Sequence, residues 1–323
     1  MKKSALIVSL DFELFWAFQD SRTIEAYGPN ILGGRKAISQ MLELFEKYGI
    51  HATWATVGFL FGENEEELRS YFPEELPTYD NPIRSCYRKF GTIGTDEVTE
   101  PYFYGASLVR KIAAVPGQEI GSHTFSHYYC GESGQTTDQF RADMKAALAI
   151  AKDKGFTLKS VILPRNQCIP EYIDVLAELG FTSYRDLESN WVNRVNAKIH
   201  YRPVERINRL MDVYFPVTGM NCYVPQQRAG IVNLKSSRMF KPYFQKLRFL
   251  EGLKLLRIKQ QMLHAAKHGL TFHLWWHPHN IGVNTERNLQ QLDEIFAYYS
   301  QLKEKYGMRS LNMGEAAEEI LKK

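Results

Sequence analysis

Short apolar stretches alternate with amphipathic helical patterns along most of the chain, and this alternation constrains the fold more than any other feature. The sequence predicts strands at residues 5–10, 50–57, 119–121, 160–163, 182–184, 271–276 and 309–311. It predicts helices between several of these strands, at residues 35–48, 139–154, 171–179 and 289–306. Strands that alternate with helices form mostly parallel sheets, and the length of the chain suits a closed barrel. We therefore expect an α/β fold.

Two regions depart from the alternation and are predicted to be insertions. Residues 63–105 are rich in Pro, Tyr and Glu, whereas residues 211–268 begin irregularly and then carry a long helical pattern. Loops at the rim of a barrel commonly build its active site. We expect a single domain over residues 1–323 in which both insertions shape a substrate pocket.

Composition argues against several classes of protein. The formal net charge of +4 over 323 residues is too small to indicate a nucleic-acid-binding protein. The four cysteines show no CxxC spacing, which argues against a zinc knuckle and a dense disulfide framework. The first apolar run ends at Asp11 without a signal-peptide cleavage site, and no apolar stretch approaches the ~20 residues that span a bilayer. We expect a cytoplasmic protein that does not bind nucleic acid.

Two histidines stand four residues apart in the stretch EIGSHTFSH, at His123 and His127. Four residues make about one helical turn, so both imidazoles would leave one face about 5–6 Å apart and could share a metal ion. A pair of unrelated surface histidines is the alternative. A third ligand elsewhere in the chain is needed to decide between them.

Asp11 and Glu13 are the candidates for that third ligand. They follow the first predicted strand, and the carboxyl ends of barrel strands are where such folds place their chemistry. Residues two apart in an extended chain point the same way, so both acids can face the barrel mouth. Two histidines and one carboxylate form a common divalent-metal set with open positions. The second carboxylate is then free to act as a base.

Five stretches of the chain, in order, resemble the polysaccharide deacetylases of carbohydrate esterase family 4. They are SLDFEL, HATWATVG, EIGSHTFSH, LPRNQ and FHLWWHPHN. The resemblance covers about residues 4–130, 159–191 and 270–321. It implies a distorted (β/α)7 barrel, here with insertions. It also implies metal-dependent removal of an acyl group from a sugar.

The resemblance implies a role for each residue of the first motifs. Asp11 corresponds to the catalytic base and Glu13 to the metal-binding acid, although the reverse assignment of the two acids stays open. His123 and His127 correspond to the two histidine ligands. Arg165 corresponds to an arginine that holds the base, and an arginine beside a carboxylate lowers its pKa.

The remaining candidates come from the later motifs. His277 corresponds to the general acid, with His279 or a purely structural role for His277 as alternatives. His273 shares the strand direction of His277 and is expected to be an interior neighbour. The predicted substrate-binding residues are Asn166, Trp191 and His279.

Together these residues predict a metal-assisted hydrolysis. One divalent ion is expected, with zinc favoured and iron, cobalt, nickel or manganese as alternatives. Such an ion activates water and polarises a carbonyl. Asp11 would take the proton of the water, and His277 would protonate the departing nitrogen.

A basic segment bears on the substrate. Residues 235–268 contain nine Lys or Arg and the single acid Glu251. With apolar residues at helical spacing, this segment would lie on an anionic membrane or face a phosphate-bearing substrate, and a solvated basic face is the alternative. We expect the substrate to be an acetylated or formylated amino sugar linked to a nucleotide or lipid in surface-polysaccharide synthesis. An amidase for a non-sugar amide and a catalytically silent binding protein of the same fold are the alternatives.

Overall fold

The protein folds around one mixed sheet, described by a computed structural model that covers residues 4–188 and 210–322. All structural statements below concern these residues. The described strands are β1 (Ala5–Phe12), β2 (Ala52–Thr56), β3 (Gln118–Ser122), β4 (Ser160–Val161), β5 (Ser183–Tyr184), β6 (Gln226–Arg228), β7 (Ile231–Asn233), β8 (Arg238–Met239), β9 (Thr271–Trp276) and β10 (Arg309–Leu311).

The strands lie in the order β6-β7-β5-β4-β3-β2-β1-β9-β8, and β10 pairs with β1 outside this path. The pairing of β6 with β7 is antiparallel, and every other pairing between these strands is parallel. All eight residues of β1 are buried, as expected for a parallel strand covered on both faces. The predicted α/β class and distorted (β/α)7 barrel with insertions are confirmed, in the form of a half-barrel surrounded by helices.

Helices connect most of the parallel strands. The α-helices that lie wholly within the described residues are α1 (Ile24–Tyr48), α2 (Glu65–Ser70), α3 (Ala106–Ala113), α4 (Thr137–Asp153), α5 (Pro170–Glu178), α6 (Glu251–His268), α7 (Pro278–Ile281), α8 (Thr285–Tyr306) and α9 (Met313–Leu321). The 3-10 helices are Trp16–Phe18, Gly58–Phe61, Pro82–Arg84, Cys86–Lys89, Pro164–Asn166 and Gln245–Leu250. None of the helices in the described residues is long and apolar enough to cross a membrane.

Helix α1 begins eleven residues before the predicted range of 35–48. The hydroxyl of Thr23 caps it by accepting a hydrogen bond from the Ala26 amide at 3.3 Å. Gly34 lowers the helical propensity of this first part, and it is required by a close backbone contact with α7. A Cβ atom on Gly34 would lie 2.7 Å from the Cα of His279. The contact fixes the position of α7 relative to the sheet.

The predicted insertion at residues 63–105 packs into the core. Trp16, which follows β1, is fully buried. Its ring centroid lies 5.5 Å from that of Phe90 and 4.7 Å from that of Phe103, both in this region. Aromatic burial of this kind is a large source of stability. The region therefore packs against the end of β1 and forms part of the hydrophobic core there.

The predicted insertion at residues 211–268 needs correction. It supplies β7, which pairs with β5, and β8, which pairs with β9, so part of it belongs to the sheet. These strands have three and two residues, which is too short to show the alternating pattern of a strand in the sequence. The helical pattern in this region corresponds to α6.

Candidate active site

Asp11 and Glu13 lie at the carboxyl end of β1, between the neighbouring strands β2 and β9. Both acids are 3% exposed. Charged groups this deeply buried are costly unless they are paired or bind a metal. Their partners therefore indicate what the site does.

Glu13 meets the two histidines of the HxxxH stretch. Its Oε2 atom lies 3.0 Å from Nε2 of His123 and 3.1 Å from Nε2 of His127. The three side chains are buried, and one potential ligand atom from each lies within 4.8 Å of the others. The structure thus brings together the three residues predicted to bind metal.

The histidines converge through a loop rather than along a helix. They follow β3, and the backbone of Thr124 (φ 63°) and His127 (φ 57°) is left-handed, a conformation that is strained for residues other than glycine. The imidazole ring centroids are 5.1 Å apart. The prediction that a helical turn brings the two imidazoles together is therefore wrong, although the two rings do lie side by side.

Asp143 of α4 holds this loop in place. Its buried carboxylate accepts hydrogen bonds from the backbone amides of Phe125 at 2.7 Å and Ser126 at 3.2 Å, and from the Ser126 hydroxyl. Burial raises the pKa of Asp143 to about 6, against these hydrogen bonds, which lower it. The sequence analysis missed this residue, because a single acid within a helical pattern carries no signal of its own.

Arg185 forms a two-point ion pair with Asp11. Its Nη1 and Nη2 atoms donate to Oδ1 and Oδ2, each at 2.8 Å. Burial alone would raise the pKa of Asp11, but the charge and hydrogen bonds of Arg185, aided by His277 and His123, hold it below its usual value. Asp11 is therefore kept ionised, the form that a general base needs.

Arg185 is itself fixed from several sides. Asn166 accepts hydrogen bonds through Oδ1 from Nε at 3.2 Å and from Nη2 at 2.9 Å, and the guanidinium carbon lies 4.1 Å from the ring centroid of Trp275. Asn166, predicted to bind substrate, thus uses its amide oxygen to orient Arg185. The sequence did offer one signal for Arg185, since it directly follows the predicted strand at residues 182–184.

The predicted role of Arg165 needs correction, because Arg185 makes the contact with Asp11 that was expected of it. Arg165 donates instead to Glu132 at 2.6 Å and Asp20 at 3.1 Å, and its guanidinium carbon lies 4.0 Å from the ring centroid of Tyr129. Its side chain is 38% exposed. The family motif identifies the loop correctly, but the charge that reaches Asp11 comes from the next strand of the sheet.

His277 stands on the other side of the two acids, directly after β9. Its Nε2 atom lies 3.4 Å from Oε1 of Glu13 and 3.6 Å from Oδ2 of Asp11. Its Nδ1 atom lies 3.1 Å from the side-chain oxygen of Asn280 and can donate to it. At 20% exposure its side chain is more open than those of Asp11 and Glu13, so Nε2 is placed to exchange a proton with a bound molecule. Asn280 was also missed by the sequence analysis.

His279 and His273 are interior residues. His279 is 4% exposed and packs near Phe18 and Tyr27, and burial lowers its pKa to about 3. His273 donates from Nδ1 to the Leu234 carbonyl at 2.9 Å, and burial lowers its pKa to about 3 as well. Both imidazoles are therefore neutral near pH 7, and neither competes with His277 as the acid. Predicted contacts of His279 with substrate stay a prediction, and Trp191 lies outside the described residues.

Glu13, His123 and His127 fit a divalent metal ion by the chemistry of their ligand atoms. Two imidazole nitrogens and one carboxylate oxygen suit zinc and its neighbours, and they leave coordination positions open. Burial lowers the pKa of His127, although Glu13 acts in the opposite direction. The lowered pKa favours the neutral imidazole, which is the form that binds metals. Glu13, His277 and His279 form a second group within 4.8 Å that shares the same carboxylate. The residues present therefore define a candidate metal centre at the carboxyl edge of a barrel sheet.

Comparison with known proteins supports the family resemblance. Residues 27–184 match the family model described as polysaccharide deacetylase. The fold is similar to that of a protein from Mycobacterium smegmatis described as a polysaccharide deacetylase, with 14% identity, a TM-score of 0.61 and coverage of 99% of this chain and 91% of the other. No curated protein sequence matches the chain. The match over residues 27–184 confirms the resemblance to polysaccharide deacetylases that the sequence motifs indicated.

Two further structures share the fold. One is a protein from Pseudomonas aeruginosa PAO1 described as a polysaccharide deacetylase, with 12% identity, a TM-score of 0.55 and coverage of 97% of this chain and 89% of the other. The second is Puue allantoinase, with 12% identity, a TM-score of 0.53 and coverage of 97% and 88%. The structural similarity establishes a common fold, and at identities this low it establishes the fold alone.

Proposed function

We propose that the protein is a metal-dependent hydrolase that removes an acetyl or formyl group from the nitrogen of an amino sugar. One observation carries the proposal: Asp11, the candidate metal ligands Glu13, His123 and His127, and the more open His277 converge at one point, with Nε2 of His277 3.6 Å from Asp11 and 3.4 Å from Glu13. A base on one side of a scissile amide and an acid on the other are what hydrolysis of a poor leaving group requires.

Each residue of the chain has a definite part in the proposed reaction. A divalent ion held by Glu13, His123 and His127 would supply Lewis-acid activation of water and of the carbonyl. Asp11, kept ionised by Arg185, takes the proton of the attacking water. His277 donates a proton from Nε2 to the nitrogen that leaves, while Nδ1 is held by Asn280.

The substrate in this proposal is an amino sugar carried on a nucleotide or lipid, in the cytoplasmic stage of surface-polysaccharide synthesis. The positive charge of residues 235–268 favours a phosphate-bearing carrier. Cys86, Cys130, Cys168 and Cys222 are free thiols, which favours a reducing compartment. The fold shared with an allantoinase keeps a non-sugar amide as a second candidate.

The test combines metal analysis with product detection. Wild-type protein is purified beside His123→Ala and the control His264→Ala, a histidine of α6 outside the candidate site. We expect about one divalent metal ion per chain in the wild type and the control, and loss of the ion in His123→Ala. Acetate and formate release are assayed on UDP-linked N-acyl sugars and on a non-sugar amide. Release from the amide alone would favour the amidase, and a wild type that neither binds metal nor releases acid would contradict the proposal.

A further inference from the structure

Helix α6 and the residues around its first turns expose apolar side chains to solvent. Phe249, which precedes α6, is 75% exposed, and Leu253 and Leu256, three residues apart on one side of α6, are 37% and 50% exposed. Phe244 is 51% exposed, and Val283 is 43% exposed. We call these five side chains the exposed apolar face. Contiguous apolar surface on a folded protein commonly marks an interaction site.

The exposed charges of residues 241–268 have one sign, although the exposed acid Glu286 follows Val283 by three residues. Near the start of α6, the exposed charged side chains of this range are Lys241, Lys246 and Arg248, all positive; Lys267 is also exposed but lies at the far end of the helix. The only acid of this range, Glu251, is 6% exposed and is paired with buried Lys254 at 2.5 Å. The surface thus combines apolar side chains with exposed positive charge from its own segment.

Other basic residues of the same segment are paired with acids. Arg238 and Arg257 are buried and both pair with Asp212, at 3.0 and 3.1 Å. Lys259 pairs with Glu294 at 2.5 Å. The structure therefore divides the basic segment of the sequence into residues that are paired with acids and exposed residues that border the exposed apolar face.

The exposed apolar face begins at the catalytic edge of the sheet. β8 runs parallel to β9, so the connection that leaves β8 starts at the edge where His277 follows β9. Beyond β8, the amide of Tyr243 donates to the side-chain oxygen of Asn288 at 2.6 Å, and Asn288 donates to the carbonyl of Val283 at 2.8 Å. These contacts tie the residues before α6 to the loop that follows α7. The surface and the candidate site therefore open on the same end of the barrel.

We propose that the exposed apolar face and its basic border dock the catalytic edge of the sheet onto an anionic lipid membrane. Apolar side chains that enter the interface and basic residues that attract anionic headgroups are the two signals that together give stable peripheral binding. A symmetric contact with a second copy would instead place the positive charges of Lys246 and Arg248 from both copies in one interface, and like charges oppose each other. Resting on the proposed function, this surface makes a lipid-carried amino sugar, presented from the membrane, the substrate class of the site.

The test is sedimentation of the full protein with phosphatidylcholine vesicles that contain or lack phosphatidylglycerol. We expect binding to the anionic vesicles that decreases as salt is raised. Lys246→Glu with Arg248→Glu removes two favourable charges, so affinity should fall by roughly fivefold or more for each. Phe249→Ser with Leu253→Ser should reduce affinity at least about tenfold, because the apolar contact with the interface is lost.

Matched controls lie on other surfaces. Lys145→Glu with Lys152→Glu makes the same charge change on exposed positions of α4, and Val98→Ser removes a side chain that is 91% exposed in the region 63–105. These variants should bind anionic vesicles like the wild type. Equal binding by all variants, or no binding by the wild type, would overturn the docking surface, as would a dimer that dissociates in Phe249→Ser.

Release of acid is measured on the wild type in parallel, both from a soluble UDP-linked N-acyl sugar and from a lipid-carried N-acyl amino sugar in the vesicles. Vesicle binding without release would leave the docking surface standing and refute the proposed reaction. Release without vesicle binding would do the opposite. The failures of the two proposals are therefore distinguishable.

Discussion

Arg185 grips Asp11 at both carboxylate oxygens, with 2.8 Å between nitrogen and oxygen in each of the two hydrogen bonds. The pair is buried, and a fork of two parallel bonds fixes the plane of the carboxylate as well as its charge. The carboxylate is therefore oriented before any substrate arrives, with Oδ2 also facing His277 at 3.6 Å.

Arg185→Lys is expected to lower kcat by roughly 100-fold while metal content stays unchanged. A lysine keeps the positive charge but cannot make the two-point contact, so the plane of the Asp11 carboxylate is no longer fixed. General-base catalysis is typically worth about 10²–10⁴ in rate, and misorientation forfeits part of it. Steady-state kinetics with metal analysis measures this.

Arg165→Lys is the control for that variant. Arg165 is partly exposed and pairs with Asp20 and Glu132, so its replacement should change kcat by less than about tenfold. A larger loss in Arg165→Lys than in Arg185→Lys would show that Arg185 does not orient the base.

Asp11→Asn and Glu13→Ala should separate the roles of the two acids. Asp11→Asn is expected to retain its metal and to lose about 10²–10⁴ in kcat, because an amide cannot accept the proton of the water. Glu13→Ala is expected to lose metal, since Oε2 is the atom that both histidines face. Loss of metal from a folded Asp11→Asn protein, with retention in Glu13→Ala, would reverse the assignment.

Asp143→Asn should change how the free energy of unfolding depends on pH. The ordinary pKa of 3.8 is raised to about 6 in the fold, so between these values the folded protein holds a proton that the unfolded chain has lost. The stabilisation from this protonation is fully present below about pH 4 and is lost as pH rises through about 6. Relative to Asp143→Asn, the wild type should lose about 3 kcal/mol across this window.

Urea unfolding of both proteins in the presence of a chelator, at several pH values from about 4 to 7, measures that difference. The other titrating groups are common to both proteins and cancel in the comparison. A difference in unfolding free energy that is constant across the range would contradict the raised pKa of Asp143.

Gly34→Ala should lower kcat by about tenfold or more without removing the metal. The added methyl group would lie 2.7 Å from the Cα of His279, so α7 and the adjoining His277 must move. Small misplacements of a catalytic group are costly, on the order of 10²-fold for 1 Å. Gly252→Ala of α6 meets no atom within 4 Å and is the matched control. Equal activity in the two variants would show that α7 tolerates the shift.

The sequence predicted the parts of the site that depend on local signals. An acid directly after an apolar strand located Asp11 and Glu13, and a short motif located His123 and His127. Three-dimensional pairing was harder. Arg165 follows β4 and Arg185 follows β5. Which of the two guanidinium groups contacts Asp11 depends on how β5 packs beside β4.

Elements held by tertiary contacts were also beyond local pattern. β7 and β8 contain two or three residues each, and they exist because longer neighbouring strands offer hydrogen-bonding partners. The glycine-containing start of α1 has poor helical propensity and is stabilised by packing against α7. The internal pairing of Arg238 and Arg257 with Asp212 was likewise hidden, because a charge count does not distinguish buried from exposed residues.

The strand order β3-β2-β1-β9 gives the site a direction. In the proposed reaction the amide crosses above β1, with its carbonyl toward the histidines that follow β3 and its nitrogen toward His277, which follows β9. Whatever is attached to the nitrogen then leaves the cleft on the side of β9 and β8, where the exposed apolar face begins. The acyl group then lies on the opposite side, near the histidines after β3. The length of the glycan attached on the nitrogen side would therefore not change how the acyl group binds.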